Sequence, residues 1–262
     1  MKALSASFPF DFWRRAIALA AIAVGAAVLV GGWWLDVALL RQLHPGYANM
    51  KANTAAALIA AGLSLWLLRE HASAGRRRAG QLAALVTALI GGLTLTQYLF
   101  GWNLGIDEWL VADTVSHYGT PGRIAPNTAL ALVLVASSLL LLDRPARGGS
   151  RPGEWLALGA GLIALLGVIG YAYGAPSLYR LSIDYAMALH SALTLLLLAI
   201  GTLLARPRTG LMAIVTSDSA GGALARRLLP WALLTPPLLG WMRILGERAG
   251  LYDPLSAIAR LF

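Results

Sequence analysis

Long apolar runs alternate with short polar segments along nearly the whole chain. An α-helix rises about 1.5 Å per residue, so a run of about 20 apolar residues crosses a hydrocarbon core of about 30 Å. Runs of this kind cover residues 16–35, 50–68, 82–100, 126–142, 155–173, 185–204 and 228–245. The pattern therefore predicts an all-α fold, a polytopic transmembrane helical bundle of about seven spans.

The two ends of the chain differ from this pattern. Residues 1–15 combine aromatic side chains with two arginines, which is typical of a cytoplasmic segment at the headgroup interface. The run 228–245 contains three prolines and predicts a kinked or tilted helix. Residues 246–262 include the helix-start pattern Asp253-Pro254, and we expect either an outer tail or the start of a truncated eighth span.

The apolar runs also repeat. Residues 50–68 closely resemble residues 124–142 and, more weakly, residues 187–205. Each of these runs pairs with the run before it, which gives three helical hairpins at about 16–68, 82–142 and 155–204. Each outgoing helix ends in an aromatic cluster, and each returning helix begins with a polar pair: Asn53-Thr54, Asn127-Thr128 and His190-Ser191. Three parallel copies imply pseudo-threefold packing, with the polar first turns gathered at one end.

These polar first turns have two interpretations. Asn-Thr pairs commonly satisfy the free N–H groups at a helix start. Alternatively, they form a ring that lines a small, outward-facing ligand pocket. The aromatic clusters are in the same way either a membrane-interface belt or the walls of a binding cleft. The pocket hypothesis selects nine candidate ligand-binding residues: Asn53, Thr54, Gln97, Tyr98, Asn127, Thr128, Tyr171, His190 and Ser191.

The basic residues divide unevenly between the two sides of the predicted bundle. With a cytoplasmic N-terminus, the inner segments hold 14 of the 21 Lys and Arg residues, and their net charge is +9 against zero for the outer segments. The positive-inside rule therefore predicts a multi-pass protein of the bacterial inner membrane with its N-terminus in the cytoplasm. The same asymmetry accounts for the basic composition without any nucleic acid.

Chemically active side chains are scarce. The apolar fraction is 58%, the charged fraction is 13%, and there is no cysteine. Most of the runs carry no charged residue, which disfavours ion-coupled transport, because transporters usually place charges at membrane depth. The histidines lie in unlike contexts, which argues against a metal or haem site. We expect no cofactor and no catalytic residue.

The longest polar loop, residues 101–123, carries the acidic residues Asp107, Glu108 and Asp113. A catalytic carboxylate pair is one interpretation of these residues, and a solvated loop is the preferred one. The IDEWLV part of this loop is expected to form a short helix on the membrane surface, with Trp102 and Trp109 as interfacial anchors.

Several less generic pieces of the chain carry a family resemblance. These are GIDEWL at 105–110, PGRIAPNTA at 121–129 and TSDSAGGALARRLLP at 216–230. Together with the repeated runs, they resemble the N-terminal multi-span sensory region of bacterial membrane-bound histidine kinases and diguanylate cyclases. In that family an eighth span leads to cytoplasmic PAS, kinase or cyclase domains. The resemblance implies an input module without its output, either a fragment or a freestanding relative.

The expected function is therefore that of a sensory input module, which is not itself an enzyme and which detects an outer-face or lipid-borne cue. Its expected partners are the lipid bilayer, a cytoplasmic kinase or cyclase output domain in cis or in trans, and a second copy in a homodimer, with no nucleic acid and no metal. Two other classes stay open, namely a small-molecule transporter or channel-like protein and a purely structural membrane subunit.

Overall fold

The computed structural model describes residues 8–116, 119–144, 151–180 and 185–248. Helices make up 72% of these residues, and the same ranges contain no β-strand. The predicted all-α fold is confirmed. The region of the expected eighth span, from Asp253 onward, lies outside the described residues.

Nine α-helices follow one another in the described ranges, several of them ended by recognisable stop signals. They are α1 Phe8–Ala26, which continues as a π-helical stretch Ala27–Trp34, α2 Ala38–Arg41, α3 Ala52–Leu67, α4 Ala74–Phe100, α5 Pro126–Leu140, α6 Pro152–Tyr173, α7 Leu189–Leu204, α8 Gly210–Thr216 and α9 Ala220–Arg248. Gly101 and Gly174 end α4 and α6 in the left-handed conformation, with φ of 66° and 64°, which a glycine adopts without strain.

Six of these helices form a closed ring in which each helix packs on the next. In the ring, α1 packs on α3, α3 on α4, α4 on α5, α5 on α6, α6 on α7, and α7 on α1. The helices α3, α5 and α7 also contact one another inside it. The bundle therefore has an inner triangle of α3, α5 and α7 and an outer set of α1, α4 and α6.

Hydrogen bonds at the helix ends show that neighbouring helices run antiparallel. At one end, the Trp33 indole N–H donates to the carbonyl of Met50 over 2.9 Å. At the other end, the Arg14 guanidinium donates to the carbonyl of Leu65. We call the first end the loop face, where α3, α5 and α7 begin, and the second end the basic face, where they end.

The inner triangle supplies most of the core. Along it, Leu58, Leu132 and Leu195 are fully buried members of one apolar cluster. Close approach of helices depends on small residues: a Cβ at Gly91 of α4 would lie 2.8 Å from the carbonyl oxygen of Ala129 in α5. Glycine therefore lets these backbones touch, as small residues do in membrane helix pairs.

In the described part of the chain, four helical segments are long and apolar enough to cross a membrane: Phe10–Trp34, Ala74–Phe100, Pro152–Tyr173 and Ala220–Gly246. The protein is thus a membrane protein. The three inner helices are apolar but shorter, with 15 or 16 residues each, which is about 24 Å of helix. Because their longer neighbours extend beyond them, the inner helices begin below the level at which α4 and α6 end.

Two stretches differ in detail from the sequence-based expectation. The IDEWLV segment forms turns rather than a helix, because the backbone carbonyls of Ile106 and Asp107 accept hydrogen bonds from Asn53 of α3. The Ser219 hydroxyl accepts a hydrogen bond from Gly222 N–H at 3.1 Å and caps α9, which begins eight residues before the predicted run at 228. That helix continues without interruption through its three prolines to Arg248.

Candidate functional site

A cavity of about 560 Å³ opens at the loop face, above the starts of the three inner helices. Its floor is formed by first-turn residues of α3, α5 and α7, and its walls by the loops that precede them. This volume lies in the range of ligand sites for small molecules. The recess follows from helix length, because the short inner helices leave space that only loops can cover.

The three helix starts that meet here carry no side-chain caps. The N-cap residues Lys51, Ala125 and Ala188 all have extended backbone conformations, and none receives or gives a capping side-chain bond. The first N–H groups of a helix have no partner within the helix. The sequence-based interpretation of the Asn-Thr pairs as caps is therefore not what the geometry shows, except that Asn127 Oδ1 accepts from the N–H of Thr128 next to it.

Three hydroxyl side chains at corresponding positions face the cavity. They belong to Thr54, Thr128 and Ser191, whose residues are only 2%, 2% and 1% exposed. None of the three hydroxyls makes a hydrogen bond to a described residue, and their oxygen atoms are open to the cavity rather than fully buried. Buried hydroxyls usually find a partner, so these three donors remain free for a molecule in the cavity.

Basic residues surround the same cavity, and three of the four are already paired. Arg41 pairs with Asp36, Lys51 with Asp113 over 2.7 Å, and Arg123 with Asp107 over 2.9 Å. The fourth, Arg180, makes no side-chain hydrogen bond or ion pair with any residue that the structure describes. The paired residues shape the walls, and of the four basic residues only Arg180 has no ion-pair partner among the described residues.

Asp113 is the centre of the loop that covers one side of the cavity. Its carboxylate accepts from Lys51, from the Ser116 hydroxyl at 2.7 Å and from Gly122 N–H at 2.8 Å. Burial alone would raise the pKa of this carboxyl, but the bonds from Lys51 and Ser116 and the ammonium charge outweigh it and hold the pKa at about 2. Asp113 is thus ionised at any physiological pH and ties the loop to α3.

Asp107 fixes the other half of the same loop. It accepts from Gln97 Nε2 at 3.0 Å and from Arg123 Nε at 2.9 Å, and all three side chains are buried. The Gln97 amide oxygen in turn accepts from Arg123 Nη2 and from the N–H of Leu104. The preferred interpretation of a solvated acidic loop is therefore wrong for Asp107 and Asp113, because both are buried in ion pairs.

Asn53 and Asn127 hold loops rather than face the cavity. Asn53 Nδ2 donates to the carbonyls of Ile106 and Asp107 at 2.9 and 3.0 Å. Asn127 Nδ2 donates to the carbonyl of Tyr179 at 3.0 Å. His190, at the corresponding place in α7, is buried, and its Nε2 has no partner in the described residues. Each asparagine therefore fastens the loop that follows the next outgoing helix.

The aromatic residues at the ends of the outgoing helices perform one recurring role. Like Trp33, Tyr98 and Tyr171 donate to the carbonyl just before a returning helix, at Ile124 and Met187, over 2.9 and 2.8 Å. Tyr171 also stacks on Tyr179, with ring centroids 3.9 Å apart. These side chains support the cavity walls from behind, whereas Trp109 is 82% exposed, as an interfacial anchor would be.

Of the nine residues predicted from the sequence, the structure places three on the cavity surface, namely Thr54, Thr128 and Ser191. The other six stand behind the walls, and five of them hold loops or helix ends there by hydrogen bonds. The sequence reasoning missed the cavity residues Arg41, Lys51, Arg123, Arg180, Tyr47 and Tyr185. A signal did exist, because four of the seven basic residues assigned to the outer side lie around this one cavity.

The opposite ends of the inner helices are joined by one arginine. Arg206 donates to the carbonyl of Leu68 at 3.0 Å and pairs with Asp143 at 2.7 Å, and Asp143 also pairs with Arg77. Burial would raise the pKa of Asp143, but the two guanidinium groups lower it below its usual range. A cation at the carboxyl ends of α3, α5 and α7 also complements their dipoles.

The fold and the cavity define a class: a helical membrane protein with a small-molecule-sized cavity at one end of its bundle. Within the ranges described, no group of three or more acidic, histidine or cysteine side chains is placed to hold a metal ion. Comparisons with models of protein families, with curated proteins and with solved structures find no match to this chain.

Proposed function

We propose that this chain is the membrane-embedded input module of a bacterial signal-transduction protein. In this proposal a small molecule enters the cavity at the loop face, and its binding changes how the helices pack. The last helices transmit that change to a cytoplasmic kinase or cyclase output domain. The chain itself binds and transmits and carries out no chemistry.

One observation carries the proposal: the cavity is closed at its inner end. Four positions after the floor residues Thr54, Thr128 and Ser191, the side chains of Leu58, Leu132 and Leu195 fill the centre of the bundle and are fully buried. A channel or transporter needs a path, or charged groups at membrane depth, to carry a solute further. A closed pocket on a continuous apolar core instead fits a binding site.

The finer architecture belongs to the same proposal. The seven membrane spans would be α1, the other five helices of the ring (α3 to α7) and α9. The corresponding bonds of Trp33, Tyr98 and Tyr171, each to the carbonyl that precedes a returning helix, support three copies of one hairpin around a pseudo-threefold axis. A cavity on that axis would receive one helix start from each copy.

Orientation follows from charge. The basic face gathers Arg14, Arg69, Arg77 and Arg206 at the helix ends, and the positive-inside rule puts such a face in the cytoplasm. The cavity then opens to the outer side of the inner membrane.

A route for transmission runs from the bundle into α8 and α9. Glu154 of α6 accepts from the N–H of Leu211 in α8 at 2.9 Å, and Tyr173 donates to the carbonyl of Pro237 in α9. These are few contacts, so α9 can shift against the bundle at small cost. A ligand shifts such an equilibrium only if it binds the two arrangements with different affinity.

Filling the cavity tests the proposal without knowledge of the cue. Because seven spans leave the end of α9 on the outer side, the chain would be joined through one added transmembrane helix to a diguanylate cyclase catalytic domain in the cytoplasm. Cyclic-di-GMP would then be measured in cells at matched expression. Ala188→Phe and Ala125→Phe each place a ring in the cavity and should change the output severalfold. Ala172→Phe is the control, because Ala172 lies exposed at the same end of α6 and outside the cavity lining.

If both cavity variants signalled like the parent while remaining folded, the sensing proposal would be wrong. Solute uptake by the reconstituted chain in liposomes, abolished by the same two variants, would instead favour the transporter class.

A further inference from the structure

The charged side chains in the described lining of the cavity are all basic. Its described lining includes Arg41, Lys51, Arg123 and Arg180 and no carboxylate. Of the carboxylates that neutralise the first three, Asp113 and Asp107 are buried behind the wall, and Asp36 is exposed outside the cavity lining. A molecule in the cavity therefore meets the cationic side of each pair.

The floor of the cavity adds three hydroxyl groups that can each donate a hydrogen bond to a bound molecule. The unpartnered hydroxyls of Thr54, Thr128 and Ser191 sit at the starts of three helices whose first N–H groups are uncapped. The positive ends of three helix dipoles point to the same place. Three hydroxyls from nearly buried residues face the cavity here without a partner in the described residues, and each can donate its proton to an acceptor in the cavity.

We propose that the cavity binds a small molecule bearing an oxyanion, a carboxylate or a phosphate group. The oxyanion accepts from the hydroxyls of Thr54, Thr128 and Ser191 and pairs with Arg180. This inference rests on the proposed function and names the class of cue. The group comes from the aqueous phase or from a lipid headgroup, since both offer the same chemistry to this floor.

Calorimetric titration tests the inference on the full chain in phosphatidylcholine nanodiscs. Inorganic phosphate and succinate are the probes, and sodium chloride of equal ionic strength is the blank. We expect saturable one-to-one binding of at least one probe. Thr54→Val/Thr128→Val/Ser191→Ala should weaken it by about tenfold or more, because a bond from each hydroxyl to a charged acceptor is lost.

Arg180→Gln should weaken binding by about tenfold through loss of the charge alone. Arg180 is exposed, so this variant keeps the test valid even where the triple variant folds poorly. Two matched controls should bind like the parent. Thr202→Val makes the same change at a buried hydroxyl near the basic face, and Arg208→Gln removes an exposed arginine there.

A second set of nanodiscs containing phosphatidylglycerol identifies the source of the oxyanion. Weaker phosphate binding in these discs would mean that the lipid headgroup occupies the same site. Unchanged binding would mean a ligand from solution. Either result supports an oxyanion site.

Two results would overturn the inference: no saturable binding of either probe up to about 10 mM in phosphatidylcholine discs, or equal binding by the cavity variants and their controls. Neither result touches the proposed function, because the cavity-filling variants test signalling whatever the ligand's charge. Conversely, anion binding without any change in cyclase output would contradict the proposed function and leave the oxyanion site standing.

Discussion

Asp113 shows how much of the cavity depends on single buried side chains. It joins α3, through Lys51, to the loop that forms one wall, and its side chain is only 1% exposed. A buried carboxylate is stabilising only when its bonds are complete, since an unpaired buried charge is costly. This residue therefore decides whether the wall is ordered.

We predict that Asp113→Asn destabilises the protein by about 3 kcal/mol, because it leaves the Lys51 ammonium without its partner. Thermal unfolding in detergent, monitored by size-exclusion chromatography, measures the change in stability. Asp218→Asn is the control, because Asp218 is exposed and makes no side-chain bond to any residue described. An equal melting temperature for the two variants would contradict this role of Asp113.

The same carboxylate sets a pH dependence. Its pKa is about 2 in the folded protein, against an ordinary value of 3.8. The folded-state pKa is depressed, so its contribution is complete above about pH 4 and is lost as the pH falls towards 2. The parent should therefore lose stability between about pH 4 and 2 by more than Asp113→Asn does, and parallel curves would refute the assignment.

For single residues, the sequence predicted the hydroxyl groups of the cavity floor but not the ion pairs that surround the cavity. Thr54, Thr128 and Ser191 were accessible to it because they recur at one place in the repeat. The ion pairs were not, since Lys51 and Asp113 lie 62 positions apart and only the fold brings them together. The net charge of zero predicted for the outer segments also hides how these charges are arranged. The basic groups line the cavity, whereas Asp107 and Asp113 are buried outside its lining.

Among the helices, contact distance decides which small residues matter. Gly91 and Gly92 are neighbours in α4, yet a Cβ on Gly91 would meet the backbone of α5, whereas a Cβ on Gly92 would meet nothing within 4 Å. The two positions therefore provide a matched pair for testing how tightly α4 and α5 pack.

We predict that Gly91→Ala destabilises the bundle by about 1–3 kcal/mol, because the helices must move apart to admit the methyl group. Gly92→Ala should be neutral or slightly stabilising, since alanine has the higher helix propensity. Thermal unfolding of both variants in one detergent measures the difference. If Gly91→Ala melted no lower than Gly92→Ala, the close contact between α4 and α5 would be refuted.

Helix length is the feature from which the cavity arises. The sequence predicted the inner runs as membrane spans of about 20 residues, but the helices α3, α5 and α7 have only 15 or 16. The remaining apolar residues, such as Met50 and Met187, are buried in the extended segments that lead into them. Hydropathy cannot separate a helix from a buried extended segment, so the recess was not predictable from it.

For the molecule as a whole, the sequence did predict an all-helical membrane bundle and the gathering of the polar first turns at one end. It missed the ring with its inner triangle, because hydrophobicity is equally high in helices that face lipid and helices that face protein. Only burial separates them: residues of the inner helices are mostly buried, whereas α4 and α6 expose many leucines.

We propose that the cavity opens to the outer side of the membrane and is closed at its inner end by the apolar core. Because the chain has no cysteine, single cysteines can report access directly. We would introduce Thr128→Cys in the cavity floor and Leu132→Cys one turn deeper, and treat intact cells and inverted vesicles with a membrane-impermeant anionic thiol reagent. We expect the cysteine of Thr128→Cys to react only in intact cells and the cysteine of Leu132→Cys to react in neither preparation. Reaction of Leu132→Cys from both sides, or of Thr128→Cys only in inverted vesicles, would contradict it.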